Sequence, residues 1–278
     1  MTGPRRRSSR RRTLRRTASR RRSTGFATRS APKTEPGWAG AYKGPVGWLN
    51  AEHLVPLAAL LVVAGGLCAA ARRWPGSWQD VVARALAVII VVALLSWQPY
   101  LLLQGRWSPA IALPVQLCDV GGFVAAAALW WRKPLLVEVA YFWGLGGTLQ
   151  ALLTPDLADH FPSYPYLQFY VTHGTVVLAG LFLVIGFGLQ PRAGSVPRIF
   201  FLTLGFAASV ATIDVVTGGN YLYLRHIPPG GSLLTLMGPW PWYIVTGVAA
   251  AVVALLVLDA PFQIARIRRS GDADRDVG

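Results

Sequence analysis

A thiol and a carboxylate stand side by side in Leu113-Pro114-Val115-Gln116-Leu117-Cys118-Asp119, inside a stretch otherwise apolar enough to cross a bilayer. Ionisable residues at membrane depth are expensive, and where they occur they mark function by default. The best partner for Cys118 is in Tyr170-Val171-Thr172-His173-Gly174, a second apolar stretch, which supplies the one histidine of the chain that falls inside a predicted helix. A thiol is a weak nucleophile at its free pKa of about 8.5. A neighbouring imidazole answers that weakness by taking the thiol proton and returning it later. Attack by such a pair on an acyl ester gives a thioester.

Each of these residues also has a plainer reading. Cys118 fits as a small apolar side chain that helices bury routinely, and His173 as an interhelical hydrogen-bond partner. Cys68, with no polar neighbour in its span, reads as packing. Asp119 is not a simple base for Cys118, because adjacent residues on a helix do not face each other; it orients His173 or pairs with a cation from another helix. Asp214 precedes Gly218-Gly219 and reads first as a helix cap. Arg225 and His226, ahead of Pro228-Pro229-Gly230-Gly231, suit a phosphate headgroup or an ordinary interfacial loop. Gln150 and Asn220 complete a set, with Asp119, Asp214 and Arg225, expected to contact substrate. One thiol and one imidazole on separate helices lack the close ligand pair of a metal site, so neither metal nor cofactor is expected.

The elements that must position these groups are membrane helices. Hydrophobic residues make up 53% of the 278 and charged ones only 14%, where a soluble domain carries roughly a quarter. Seven stretches approach the ~20 residues that a ~30 Å hydrocarbon core requires: 54–72, 82–103, 111–131, 134–154, 166–189, 197–217 and 240–260. Backbone satisfaction in lipid makes them helices. The expected fold is all-α, a polytopic bundle of about seven transmembrane helices over 46–262, with a basic tail at 1–45 and a short polar tail at 263–278. The net charge of +15 resides mostly in the first of these: residues 1–43 hold twelve arginines and two lysines against Glu35. Such a run is solvated chain, and no specific nucleic-acid partner is expected from it.

Arg72-Arg73, Arg132-Lys133 and Arg192 with Arg198 follow the first, third and fifth spans, and Arg266, Arg268 and Arg269 follow the last. Counted near the spans, they put the N-terminus outside and the C-terminus inside. The third and fifth spans then run in the same direction. Cys118 and His173 each lie seven residues past the starts drawn above, so both are expected ~10 Å below one membrane face at 1.5 Å per residue. Loops 155–165, with Asp156, Asp159 and His160, and 218–239 gather at that face; Glu138 points to the other half. A transporter or assembly factor is the competing class, although a transporter more typically shows repeats and broken helices near the midplane.

Taken together, several segments resemble the YwaF-type bacterial integral-membrane family, whose eukaryotic relatives include a seven-helix transmembrane phospholipid acyltransferase. They are Leu113 to Asp119, Tyr141-Phe-Trp-Gly-Leu-Gly-Gly-Thr-Leu-Gln-Ala-Leu-Leu-Thr-Pro-Asp156, Gln168-Phe-Tyr-Val-Thr-His-Gly174, Gly219-Asn-Tyr-Leu-Tyr-Leu224 and Gly238-Pro-Trp-Pro-Trp-Tyr243. The resemblance runs from about residue 46 to 262. It implies a multi-pass protein of a bacterial cell membrane, Cys118 as nucleophile, His173 as its partner, and an acyl chain moved between a phospholipid donor and acceptor through an acyl-enzyme. A more remote similarity is to transmembrane lipid hydrolases that pair a threonine with a histidine.

Overall fold

The computed structural model describes Val46 and residues 49–155, 157–227 and 233–275, with side chains as far as Ser270. All of these belong to the compact unit Lys43–Gly278. The basic tail, Asp156 and the segment 228–232 lie outside the described residues.

Seven apolar helices follow one another, and there is no strand among the described residues. They are α1 (Ala51–Arg73), α2 (Trp78–Leu103), α3 (Leu117–Trp131), α4 (Pro134–Leu153), α5 (Tyr164–Gly186), α6 (Ser195–Thr217) and α7 (Trp242–Arg275). Six are long and apolar enough to cross a membrane, and α3 is the short one. The chain is therefore a polytopic helical membrane protein. Local chemistry sets the ends. The Asn50 side chain caps α1 by accepting the His53 N–H at 3.0 Å, Pro134 opens α4 where no donor is lost, and Gly218, at φ +75°, closes α6 in the left-handed conformation. Because α1 begins at Ala51, His53 is helical too; its Nδ1 lies 2.9 Å from the Tyr170 hydroxyl. At the other end, α7 runs past residue 262 to Arg275, so the stretch read as a polar tail begins as helix.

α3 departs most from the sequence expectation. It starts at Leu117 rather than 111, and residues 104–116 form turns and irregular chain. Pro109 and Pro114 lack the N–H a helix would need there and crowd the preceding turn. Isolated irregular backbone is not tolerated in lipid, and here protein groups satisfy it, as described below.

The core gathers around α3, α4 and α5. Every residue of α4 from Val137 to Trp143 is buried, whereas α1, α6 and α7 present apolar residues such as Val62, Phe201 and Val257 outward. Lipid tails are as apolar as leucine, so association of such helices rests on close packing rather than on the hydrophobic effect. Gly122 shows how close: a Cβ there would stand 2.8 Å from Leu94 of α2 and 3.4 Å from Val176 of α5. Within α4, Gly144–Thr148 is π-helical, a one-turn bulge of the kind that recurs at functional sites.

The bundle end away from Cys118 is tied by charge. The Glu138 carboxylate, 1% exposed, accepts from Arg192 Nε at 2.8 Å and Nη2 at 3.1 Å, from the Arg192 backbone N–H at 3.0 Å and from Arg198 Nη1 at 2.8 Å. That carboxylate in turn raises the Arg192 guanidinium pKa. Asp259 of α7, equally hidden, accepts from Ser195, Gln263 and Arg266. Glu138 thus sits in the opposite half, as its position in the sequence indicates, and Asp259 joins it there.

Candidate active site

Two chain segments far apart in sequence interlock to hold the start of α3. The Tyr221 hydroxyl donates to the Pro109 carbonyl at 2.8 Å and accepts the Leu113 N–H at 2.9 Å. Gln116 Oε1 accepts the Leu222 N–H at 2.9 Å, and Gln98 Nε2 donates to the Ala112 carbonyl at 2.7 Å. These bonds supply the irregular backbone with partners that a helix would have provided. Burial pushes the Tyr221 phenol pKa up, so it stays a neutral donor and acceptor.

Cys118 is consequently the second residue of α3, not a residue two turns inside it. It is a free thiol, half-buried. Asp119 caps its own helix: its Oδ2 accepts the Gln116 N–H at 3.2 Å. The first turn of a helix carries N–H groups without intrahelical partners and the positive end of the helix dipole, and Cys118 stands in that turn beside the Asp119 carboxylate.

Behind this turn lies a polar cavity of about 200 Å³, to which Gln98, Gln116, Asp119, Thr172, His173 and Tyr221 all contribute. Asp119 and His173 are thereby brought to one space. The next hollow along, apolar and about 130 Å³, takes Leu117 into its wall. Successive helical residues are rotated by about 100°, so Cys118 occupies the turn between a residue of the apolar wall and a residue of the polar one.

His173 is half-buried, and its ring rests against Phe169, centroids 4.2 Å apart. Its Nδ1 is 2.8 Å from the Phe169 carbonyl oxygen. A carbonyl can only accept, so Nδ1 carries the proton, and in the neutral ring Nε2 is left with the lone pair. That tautomer makes Nε2 the nitrogen able to accept a proton.

Thr172 was quoted above only as part of a motif. It is 2% exposed and its hydroxyl has no partner among the described residues. The contrast lies within the same chain: Thr175, Thr203, Thr212 and Thr217 each donate to the carbonyl four residues back, at 2.6 to 3.2 Å. An unpaired hydroxyl bordering a polar cavity is a donor held in reserve, since its desolvation costs about 1–3 kcal/mol until a partner arrives.

The remaining sequence candidates build the surroundings. Gln150 bonds Thr154, the residue just past the end of α4. Asp214 is fully buried; its Oδ1 accepts the Tyr221 N–H at 2.8 Å, while Oδ2 has no partner among the described residues. Asn220 Oδ1 accepts the N–H groups of Arg225 and His226, and Arg225, exposed, directs its guanidinium to the carbonyls of Asp214 and Gly219. Asp214, Asn220 and Arg225 thus shape the loop that delivers Tyr221. Gln116, Gln168, Thr172 and Tyr221 are the residues that reading by charge and thiol overlooks. All four lie in the quoted motifs, which is the signal that could have found them.

Residues 48–259 match the family described as the TMEM164 family. An uncharacterized protein of Treponema pallidum (strain Nichols) is 30% identical over 165 residues, which is 58% of this chain and 66% of that protein, so the chain covers just under two thirds of this relative's length. No solved structure matches the chain.

Proposed function

Since the chain belongs to the TMEM164 family, we propose that it is an intramembrane lipid acyltransferase or lipid hydrolase, with Cys118 as nucleophile and His173 as general base and then general acid. In the first half-reaction His173 Nε2 takes the Cys118 proton while Sγ bonds to the acyl carbonyl carbon of a phospholipid. The ester C–O bond breaks, the leaving lysophospholipid oxygen recovers the proton from Nε2, and the acyl chain stays on sulfur as a thioester. In the second half an acceptor hydroxyl gives its proton to Nε2, attacks the thioester and releases the Cys118 thiol. A lysophospholipid acceptor makes the protein a transferase, and water makes it a hydrolase. The Thr172 hydroxyl and the first-turn N–H groups of α3 donate to the oxygen that turns negative in each tetrahedral intermediate.

The observation that carries this reading is the tautomer of His173. The bond from Nδ1 to the Phe169 carbonyl leaves Nε2 as the basic nitrogen, in a residue that borders the same cavity as the residue after Cys118. The partners are membrane lipids, and the site end of the bundle faces outside.

Thioester trapping tests it. The purified protein is incubated with phospholipid labelled in its acyl chains, quenched in acid and treated with neutral hydroxylamine, which cleaves thioesters. Hydroxylamine-labile label on the wild type and on Cys68→Ala, and none on Cys118→Ala, is the expected pattern. Label that persists on Cys118→Ala returns the cysteine to packing and moves the search to Asp214 and His226, and a wild type that takes no label favours a non-enzymatic role.

A further inference from the structure

Resting on that reading, we propose that the apolar hollow between α4, α6 and α7 is the seat of the acyl chain while it is carried on Cys118, and that it grips the carbons nearest the carbonyl. Phe142 and Trp143 of α4 form one side, Phe200 and Ala207 of α6 a second, and Ala254 and Leu255 of α7 the third. Leu117, the residue before Cys118, closes one end, against the π-helical glycines Gly146 and Gly147. A Cβ on Gly147 would stand 2.6 Å from the Leu117 side chain, so the bulge makes the room that lets the first turn of α3 reach this wall.

The chemistry of the occupant follows from the position. A thioester on Cys118 has its polar carbonyl beside the helix N–H groups and must send its hydrocarbon into an apolar space that begins within one residue. A second apolar hollow, against α3 from Phe123 to Trp131, starts five residues along the helix. At 1.5 Å per residue that is about 7 Å from Cys118, too far for the carbons next to the carbonyl. The Leu117 hollow is the one within reach.

Size sets what is read. An apolar void of about 150 Å³ takes up benzene, with six carbons, so roughly five carbons fit the 130 Å³ of this hollow, and the rest of a long chain leaves between α6 and α7 into lipid. The site therefore discriminates by what lies near the carbonyl.

The test uses the full-length protein in detergent with acetyl and hexadecanoyl p-nitrophenyl esters as acyl donors, and reads hydroxylamine-labile acyl mass on Cys118; the acetyl group has one methyl beyond its carbonyl and does not fill the hollow. Ala207→Leu and Ala254→Leu narrow the hollow from two different helices. Each is expected to lower hexadecanoylation about tenfold or more relative to acetylation, a hydrophobic pocket distinguishing single methylenes by that order. Loss of both reactions to the same degree in variants that melt like the wild type, or retention of both, overturns the assignment. A wild type whose Cys118 takes neither chain overturns the parent reading and this one with it, whereas a wild type that takes both while the variants are unchanged overturns the chain seat alone.

Discussion

Thr172→Val separates catalysis from folding by sign. Valine keeps the shape of threonine and removes the hydroxyl. In this chain that hydroxyl has no partner among the described residues and is almost fully hidden, so its removal breaks no intramolecular bond and relieves a desolvation penalty of about 1–3 kcal/mol. The melting temperature is expected to stay level or rise. Loss of a donor to a developing oxyanion costs about 10²–10³ in rate, or 2.7–4 kcal/mol. Because the first-turn N–H groups of α3 share the load, the lower end, about 10², is expected for acylation of Cys118. Single-turnover acylation from labelled phospholipid, with thermal unfolding on the same preparation, measures both. Thr172→Ser should recover most of the rate, since it restores the hydroxyl. Thr175→Val is the control, its hydroxyl being already committed to the Val171 carbonyl at 2.6 Å; acylation should hold near wild type. A Thr172→Val protein that melts lower and acylates normally would show that the hydroxyl is structural and refute the donor role.

Four further outcomes are expected. Cys118→Ala, His173→Ala and the double variant should lose acyl transfer to similar degrees, because residues that act as a unit are non-additive; losses that multiply would separate the two. Glu138→Ala unties Arg192 and Arg198 from α4 and should lower the unfolding temperature, with unchanged donor preference in the protein that remains folded. Tyr221→Phe leaves the Leu113 N–H without its partner and should slow acylation through α3 more than it raises KM; wild-type kinetics would mean that residues 104–116 hold their shape unaided. Reporter fusions after Asp159 should give an external signal and fusions at the C-terminus an internal one, and the reverse would show that the basic tail sets orientation.

The spans were legible because length and apolarity alone define them, and the two chemical motifs stood out as polar interruptions. The start of α3 was not. Ile111, Ala112, Leu113 and Val115 look like the opening of a helix, and what holds them irregular is Tyr221, more than a hundred residues away. Equal counting from drawn span ends placed Cys118 two turns deep, whereas it lies in the first turn. Asp259 escaped for the opposite reason, being a single acid inside an apolar run whose partners, Ser195 and Arg266, come from a different helix and from two turns further along. Thr172 was invisible as chemistry because a threonine in a helix ordinarily spends its hydroxyl on its own backbone; the absence of that bond, which it shares with Thr148, and its place at the polar cavity together set it apart.

The dependence of α3 on Tyr221 and Leu222 also bears on biosynthesis. Leu113 and Gln116 wait for partners that emerge 108 and 106 residues later. At about 5–20 residues per second, the ribosome leaves the thiol-bearing turn without its brace for roughly 5–20 s. A nascent chain ending at Thr217 would already hold six of the seven helices and both Cys118 and His173, yet it would lack the brace. The first turn of α3 thus reaches its braced form only once α6 has been inserted and the loop after it has folded back, so the setting of Cys118 is among the last features of the bundle to be completed.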